Sequence, residues 1–199
     1  FEEVLQKSIR MLDIGKDGLV LNRQNGESFD DEQIEEHLQT PDDSILYYVI
    51  AALHKGISIE KIYQLSAIDP WFLTKINNIV EVERRLKSSA LDQKLLSDAK
   101  KFGFSDNQIG RAVNKKELEV RKIRKDLGVI PVVKQIDTLA AEWPAETNYL
   151  YLTYGGRESD ISITQKDSGI IVLGAGPYRI GSSVEFDWGT VNMVWGLQD

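Results

Sequence analysis

Between Ser44 and Gly128 the apolar residues recur at intervals of three and four, the spacing of one face of a helix. In "DSILYYVIAALHKG" they fall at 45, 46, 49, 50 and 53, and Gly56 is placed to stop the helix at its C′ position. Ser58 starts a short helix. Asp69-Pro70 then supplies an N-cap followed by proline at the first helical position. The helix that follows is predicted to bury Phe72, Leu73, Ile76, Ile79, Val80 and Leu86, with Glu81 and Arg85 paired on its wet side. Ahead of this region, Phe1, Val4, Leu5, Ile9 and Leu12 share one helical face. Residues 13–43 are polar and loop-like, apart from a short helix in "SFDDEQIEEHLQ" capped by Ser28 or Asp30.

A shift of 47 residues lays 56–76 over 103–123. Gly56 then meets Gly103, Ser58 meets Ser105, Ile62 meets Ile109, Trp71 meets Leu118, Leu73 meets Val120 and Ile76 meets Ile123. Each copy reads as a capped short helix, a turn and a longer helix. Ser105 with Gln108 has capping-box spacing, and Asn114 is expected to cap the next helix. Two copies are too few for a solenoid and suit a domain of paired helical hairpins.

Short helix, turn, longer helix also describes a DNA-binding unit, and the second copy carries Lys115, Lys116, Arg121, Lys122, Arg124 and Lys125. Glu117, Glu119 and Asp126 interrupt that charge, so the helix reads as a solvated face. Trp71, Phe72 and Tyr63 read as core or interface residues, and His37 and His54 as surface histidines without metal-ligand spacing.

After Gly128 the pattern changes. "VVKQIDT" and "NYLYLTY" are β-like, with Pro131 and Pro144 as punctuation. Ile170–Leu173 is a continuous apolar run, as in a strand buried on both faces. Glycines follow at 174, 176 and 181, then Ser182 and Glu185 at capping-box spacing. Strand, glycine turn and helix open an α/β unit whose helix start attracts anions. The spacing matches neither the dinucleotide fingerprint nor the P-loop, whose lysine is missing. A lone β-α piece cannot build a parallel sheet. The chain is therefore expected to be a segment of a longer polypeptide.

Composition narrows the classes. The 199 residues carry a net charge of −7, which opposes wrapping nucleic acid. There is no cysteine, so disulfides and thiolate chemistry are excluded. Neither a membrane-length apolar run nor a signal peptide is present.

Four stretches, "FEEVLQKSIRML", "IDPWFLTKI" with "ERRL", "KQIDTLAAEWPAETNYLYLTY" and "VLGAGPYRIGSSVEFDW", resemble the large synthetase chain of carbamoyl-phosphate synthase over essentially all 199 residues. The wording of the last two is closest to the eukaryotic form fused to other pyrimidine-pathway enzymes. The resemblance implies a mainly α fold: a helical oligomerisation domain, a β-rich linker, and the first β-α unit of a pre-ATP-grasp domain. It divides the chain at 1–12 (last helix of a first synthetase half), 13–130 (oligomerisation), 131–168 (linker) and 169–199 (opening of a second half). It implies an ATP-dependent ligase whose parent chain uses ATP with Mg²⁺, with K⁺ as a further ion. No catalytic, cofactor or metal residue falls in this segment.

Implied partners are the flanking ATP-grasp halves, a glutaminase subunit or domain, and further copies of the chain, with no nucleic acid and no membrane. The implied location is cytoplasmic, or mitochondrial for an arginine- or urea-type form. Arg179, Ile180, Gly181, Ser183 and Glu185 match the family's interior carbamate passage. Ser183 departs from the glycine of many bacterial relatives, and Gly189-Thr190 stand where relatives often show Cys and Ala. Two readings compete with this one: an autonomous helical adaptor, and a small nucleotide-binding regulator using Gly174–Ser183.

Overall fold

The computed structural model describes residues 1–22, 29–135, 150–161, 169–174 and 185–198. Among these residues the fold is mainly helical, with nine helices and one two-stranded sheet. Two compact units divide the chain, Phe1–Val132 with Leu152–Arg157, and Val133–Tyr151 with Glu158–Asp199.

The first unit is built from helices whose ends are fixed by short-range hydrogen bonds. The opening helix α1 spans Glu2–Met11 and α2 spans Asp31–Gln39. Asp30 caps α2 by accepting from the Gln33 amide at 2.8 Å, while the Gln33 side chain accepts from the Asp30 amide at 3.1 Å. Next come α3 (Ile45–His54), α4 (Ile59–Ser66), α5 (Pro70–Ser88), α6 (Gln93–Lys101), α7 (Asp106–Val113) and α8 (Glu117–Asp126). Ser58, Asp69, Asp92 and Ser105 cap α4, α5, α6 and α7 through their side chains.

The 47-residue echo is a structural repeat. Shifted by 47, the bounds of α4 coincide with those of α7, and α5 and α8 begin at equivalent residues. Gly56 and Gly103 both take left-handed backbone, φ +79° and +83°, and each closes a paired helix-ending hydrogen-bond motif. The repeat extends back beyond the stretch legible in the sequence, to α3 and α6. Val49 and Leu96, Ala52 and Ala99, Ile62 and Ile109, and Leu73 and Val120 are all fully buried at equivalent places. The long helix α5 is common to both copies. It packs on α3 and α4 in the first copy and on α6 and α7 in the second.

Several expectations are corrected. Asn114 does not cap α8. It ends α7 in left-handed backbone, which asparagine tolerates, and Lys116 takes the cap position of α8. Phe72 is exposed, because the buried face of α5 runs through Leu73, Ile76, Ile79, Val80, Glu83 and Leu86. Glu81 pairs with Arg84, and Arg85 reaches across to Asp98 of α6 at 3.0 Å. On α1, Phe1, Val4 and Leu12 face solvent while Gln6 is fully buried beside Ile9.

Gln6 is tolerated in the interior because its amide oxygen accepts two hydrogen bonds and its nitrogen donates one. Its oxygen accepts from Leu19 N–H at 3.1 Å and from Gln108 Nε2 at 3.2 Å, and its nitrogen donates to the Phe102 carbonyl at 3.4 Å.

Strands β1 (Val132–Gln135) and β2 (Leu150–Thr153) pair with each other. In the second unit, the amides of Val133 and Gln135 donate to Ser159 Oγ and Asp160 Oδ2, and Lys134 pairs with Asp160. Residues 169–174 do not form the predicted strand. Ile170, Ile171 and Leu173 are 70%, 86% and 88% exposed, for a parallel strand needs neighbours on both edges and none pairs here among the described residues. Helix α9 spans Glu185–Gln198, with Thr190 at ordinary contact distance from the Cβ position of Gly174.

Candidate functional site

Of the residues matched to the carbamate passage, Arg179, Ile180, Gly181 and Ser183 lie outside the described residues, as does the expected Ser182 cap. Glu185 is the first residue of α9. The described residues carry chemistry elsewhere, in the second copy of the helical repeat.

There Lys100, Asp106 and Arg124 form a buried ionic cluster. Lys100 sits in the last turn of α6, Asp106 in the first turn of α7, and Arg124 in the last turn of α8. One Asp106 oxygen accepts from Lys100 Nζ at 2.8 Å and the other from Arg124 Nε at 2.7 Å. Lys100 also donates to the Phe104 carbonyl at 2.8 Å. The Tyr154 ring covers both cations, its centroid 4.9 Å from Lys100 Nζ and 5.7 Å from the Arg124 guanidinium carbon.

Burial alone would raise the pKa of Asp106, but hydrogen bonds from Lys100 and Arg124 overcome it and hold it below the ordinary range. Lys100 is lowered by burial, with Arg124 and Arg10 adding repulsion that the shared carboxylate does not offset. Burial raises Tyr154. The Asp106 carboxylate joins the two cations. The cluster fastens three helix ends and segment 152–157 to one point. That segment is held further by Thr153, whose hydroxyl donates to Glu3 at 2.8 Å, and by Lys7 donating to the Leu152 carbonyl at 2.8 Å. A groove of about 450 Å³ beside it is lined by residues including Lys94, Asp98, Lys101, Ile130 and Tyr154.

The sequence reading assigned Arg124 to a solvated basic face and passed over Lys100. One signal was available. Shifted by 47, Lys100 falls on Leu53, Asp106 on Ile59 and Arg124 on Asn77. A lysine in a leucine's place needs a buried counter-charge.

The two histidines also have specific partners. His54 lies 2.7 Å from Glu83, whose other oxygen takes Lys87 at 2.6 Å. Burial would raise Glu83, and these bonds lower it instead. His37 stacks on Tyr48 at 4.0 Å and meets Asp42 at 3.1 Å. Among the described residues, no cluster of three or more His, Asp or Glu side chains is placed to hold a metal ion. No helix among them is long and apolar enough to cross a membrane.

On the surface, Trp71 and Phe72 are 52% and 44% exposed and meet the Phe1 ring edge-on and tilted, at centroid distances of 5.4 and 5.5 Å. They lie at the surface and not in the core.

Comparison with known sequences decides the lineage. The profile of the carbamoyl-phosphate synthetase large chain, oligomerisation domain, matches residues 1–128. The chain belongs to the carbamoyl-phosphate synthetase large-chain family. The family's preATP-grasp domain profile matches residues 166–199. The chain is 43% identical to the multifunctional protein CAD of Squalus acanthias over all of its length and 9% of that protein. It is 45% identical to the carbamoyl phosphate synthase large chain of Saccharolobus solfataricus, over 98% of this chain and 18% of that one. It is 44% identical to the mitochondrial carbamoyl-phosphate synthase (ammonia) of Aquarana catesbeiana, over all of this chain and 13% of that protein. The chain thus spans less than a fifth of the length of these relatives. The adaptor and nucleotide-regulator readings are not favoured. In family terms, the helical repeat and its ionic cluster lie inside the oligomerisation domain.

Proposed function

We propose that this chain is the central segment of a glutamine-dependent carbamoyl-phosphate synthase, joining two ATP-grasp halves. The parent chain is an ATP-dependent ligase that makes carbamoyl phosphate from bicarbonate, ammonia and two ATP, with Mg²⁺ and K⁺ held outside this segment. Residues 1–12 close the first half and 13–130 form an association domain of paired hairpins. Residues 131–168 link it to a second half that opens at 169–199 with the first β-α unit of a pre-ATP-grasp domain. The observation that supports this reading is the order of the two matched profiles on one chain, helical domain first. Partners are the flanking halves, a glutaminase subunit or domain, and further copies. The location is cytoplasmic, or mitochondrial for an arginine- or urea-type form.

Arg179, Ile180, Gly181, Ser183 and Glu185 line the route by which carbamate passes between active sites. Carbamate decomposes in water, so an enclosed route protects it. The test is Ser183→Trp in the parent enzyme. Bicarbonate-dependent ATP hydrolysis should persist while carbamoyl phosphate yield per ATP falls; unchanged yield would remove these residues from the route. The excised 199-residue segment should show no bicarbonate-dependent ATP hydrolysis.

A further inference from the structure

Among the described residues, the internal repeat leaves one surface without the cover its twin has. In the first copy, α1 lies against α5. The Phe1 ring packs edge-on against Trp71, and the Glu2 carboxylate accepts from Asn78 Nδ2 at 2.9 Å and lies 3.6 Å from Lys75 Nζ. Shifted by 47, Trp71, Lys75 and Asn78 become Leu118, Lys122 and Lys125 of α8. The types are kept: an apolar residue, a lysine at the same place, and a donor one turn on. On α8 all three are exposed, Leu118 at 75%. With Arg121 and Asp126 they line a shallow depression of about 270 Å³. Glu119, the nearest carboxylate before it, is engaged in the helix start, accepting from the Lys116 amide at 2.7 Å.

We propose that this face of α8 docks the first turn of an acidic amphipathic helix from outside these 199 residues, as α5 docks α1. The helix presents an apolar or aromatic side chain to Leu118 and a carboxylate to Lys122 and Lys125. Charge complementarity selects it: three cations against one carboxylate, Asp126, surround the apolar contact, and α5 shows the matching chemistry at equivalent positions. The inference rests on the repeat and stands apart from the ligase reading.

The probe is a fluorescent 12-residue peptide with the α1 sequence, titrated into the 199-residue chain by anisotropy. Saturable binding is expected, weakened by salt, and at least about tenfold weaker for the Lys122→Glu/Lys125→Glu variant. A peptide with Glu2→Lys and Glu3→Lys should lose affinity equally, which tests the same contacts without altering the protein. Lys75→Glu should leave affinity unchanged. The inference is overturned by no saturable binding, by equal binding to both proteins, or by loss in Lys75→Glu alone, which marks exchange at α5. It is also overturned if a single-stranded oligonucleotide competes fully, or if sedimentation shows a dimer that Leu118→Asp dissolves. Those last outcomes would assign the face to nucleic acid or to a second copy.

Discussion

Two copies of one helical unit sit side by side and solve the same packing problem differently. In the first, the buried Leu53 and the half-buried Ile59 pack hydrocarbon against the core. In the second, Lys100 and Asp106 stand at those places and recruit Arg124. Both copies keep the same bounds for the short helix, α4 or α7, the same glycine stop and the same serine cap. The backbone plan therefore tolerates either a dry or an ionic interior, and the ionic one has a further consequence: it gives Tyr154 two cations to cover. Aliphatic packing would fill the same volume, but would offer that ring no comparable anchor.

The sharpest way to break the comparison is to remove the shared carboxylate. Asp106→Ala leaves two buried cations unpaired and should cost about 3–5 kcal/mol in urea unfolding. Replacing the cluster with its twin's residues, Lys100→Leu, Asp106→Ile and Arg124→Asn, should leave stability within about 2 kcal/mol of wild type, because a buried ion pair stabilises little over good apolar packing. The triple variant should nonetheless free segment 152–157, seen as faster amide exchange there. If it costs as much as Asp106→Ala, the two interiors are not interchangeable.

Acid acts on the same carboxylate, and on Glu83. Both have pKa values lowered on folding, so their contribution is fully present above the ordinary carboxylate value of about 4 and is lost as pH falls through the folded values. The thermal midpoint should hold from pH 7 to about 5 and fall below about pH 4. The dry-interior triple variant should show a shallower acid limb, and a parallel limb would show that Asp106 contributes nothing to it.

The glycine stops give a smaller contrast. Alanine at either Gly56 or Gly103 meets left-handed backbone strain of about 1–2 kcal/mol. A Cβ at Gly56 meets open space, whereas at Gly103 it would lie 2.9 Å from the Glu3 backbone. Gly103→Ala should therefore lower the thermal midpoint more than Gly56→Ala, and loosen α1. The smallest expected effect is at the caps, where Ser58→Ala and Ser105→Ala should each cost about 1 kcal/mol by chemical denaturation. Ser105 should cost more, since its partner Gln108 also donates to Gln6 and to the Val20 carbonyl.

Local chemistry was legible in the sequence. Asp30, Ser58, Asp69 and Ser105 cap the helices as their side chains predict, and Gly56 stops α3. Where the reading failed, a distant partner decided. Gln6 lies off the expected apolar face of α1, yet it is fully buried, with bonds to residues up to 102 positions away. Arg124 looked like one of several surface bases until Asp106 drew it inward. Asn114 has side-chain chemistry suited to either end of a helix, and left-handed backbone at the end of α7 settles the choice. The run at Ile170–Leu173 carries strand-forming residues, yet the hydrogen bonds of a strand belong to its neighbours. Of the passage residues, Glu185 alone falls within a described element, at the start of α9.

The first helix has some of its polar anchors about a hundred residues further along the chain: Arg10 on the Gly103 carbonyl at 2.8 Å, Gln6 on Phe102 and Gln108. On a ribosome those partners leave the exit tunnel about a hundred residues after α1, seconds later at ordinary elongation rates. The nascent α1 must wait, its buried amide meanwhile hydrated, until α6 and α7 have emerged. Within this domain, the helix that emerges first is thus the clasp fastened late, and a pause in translation before Gln108 would leave it open.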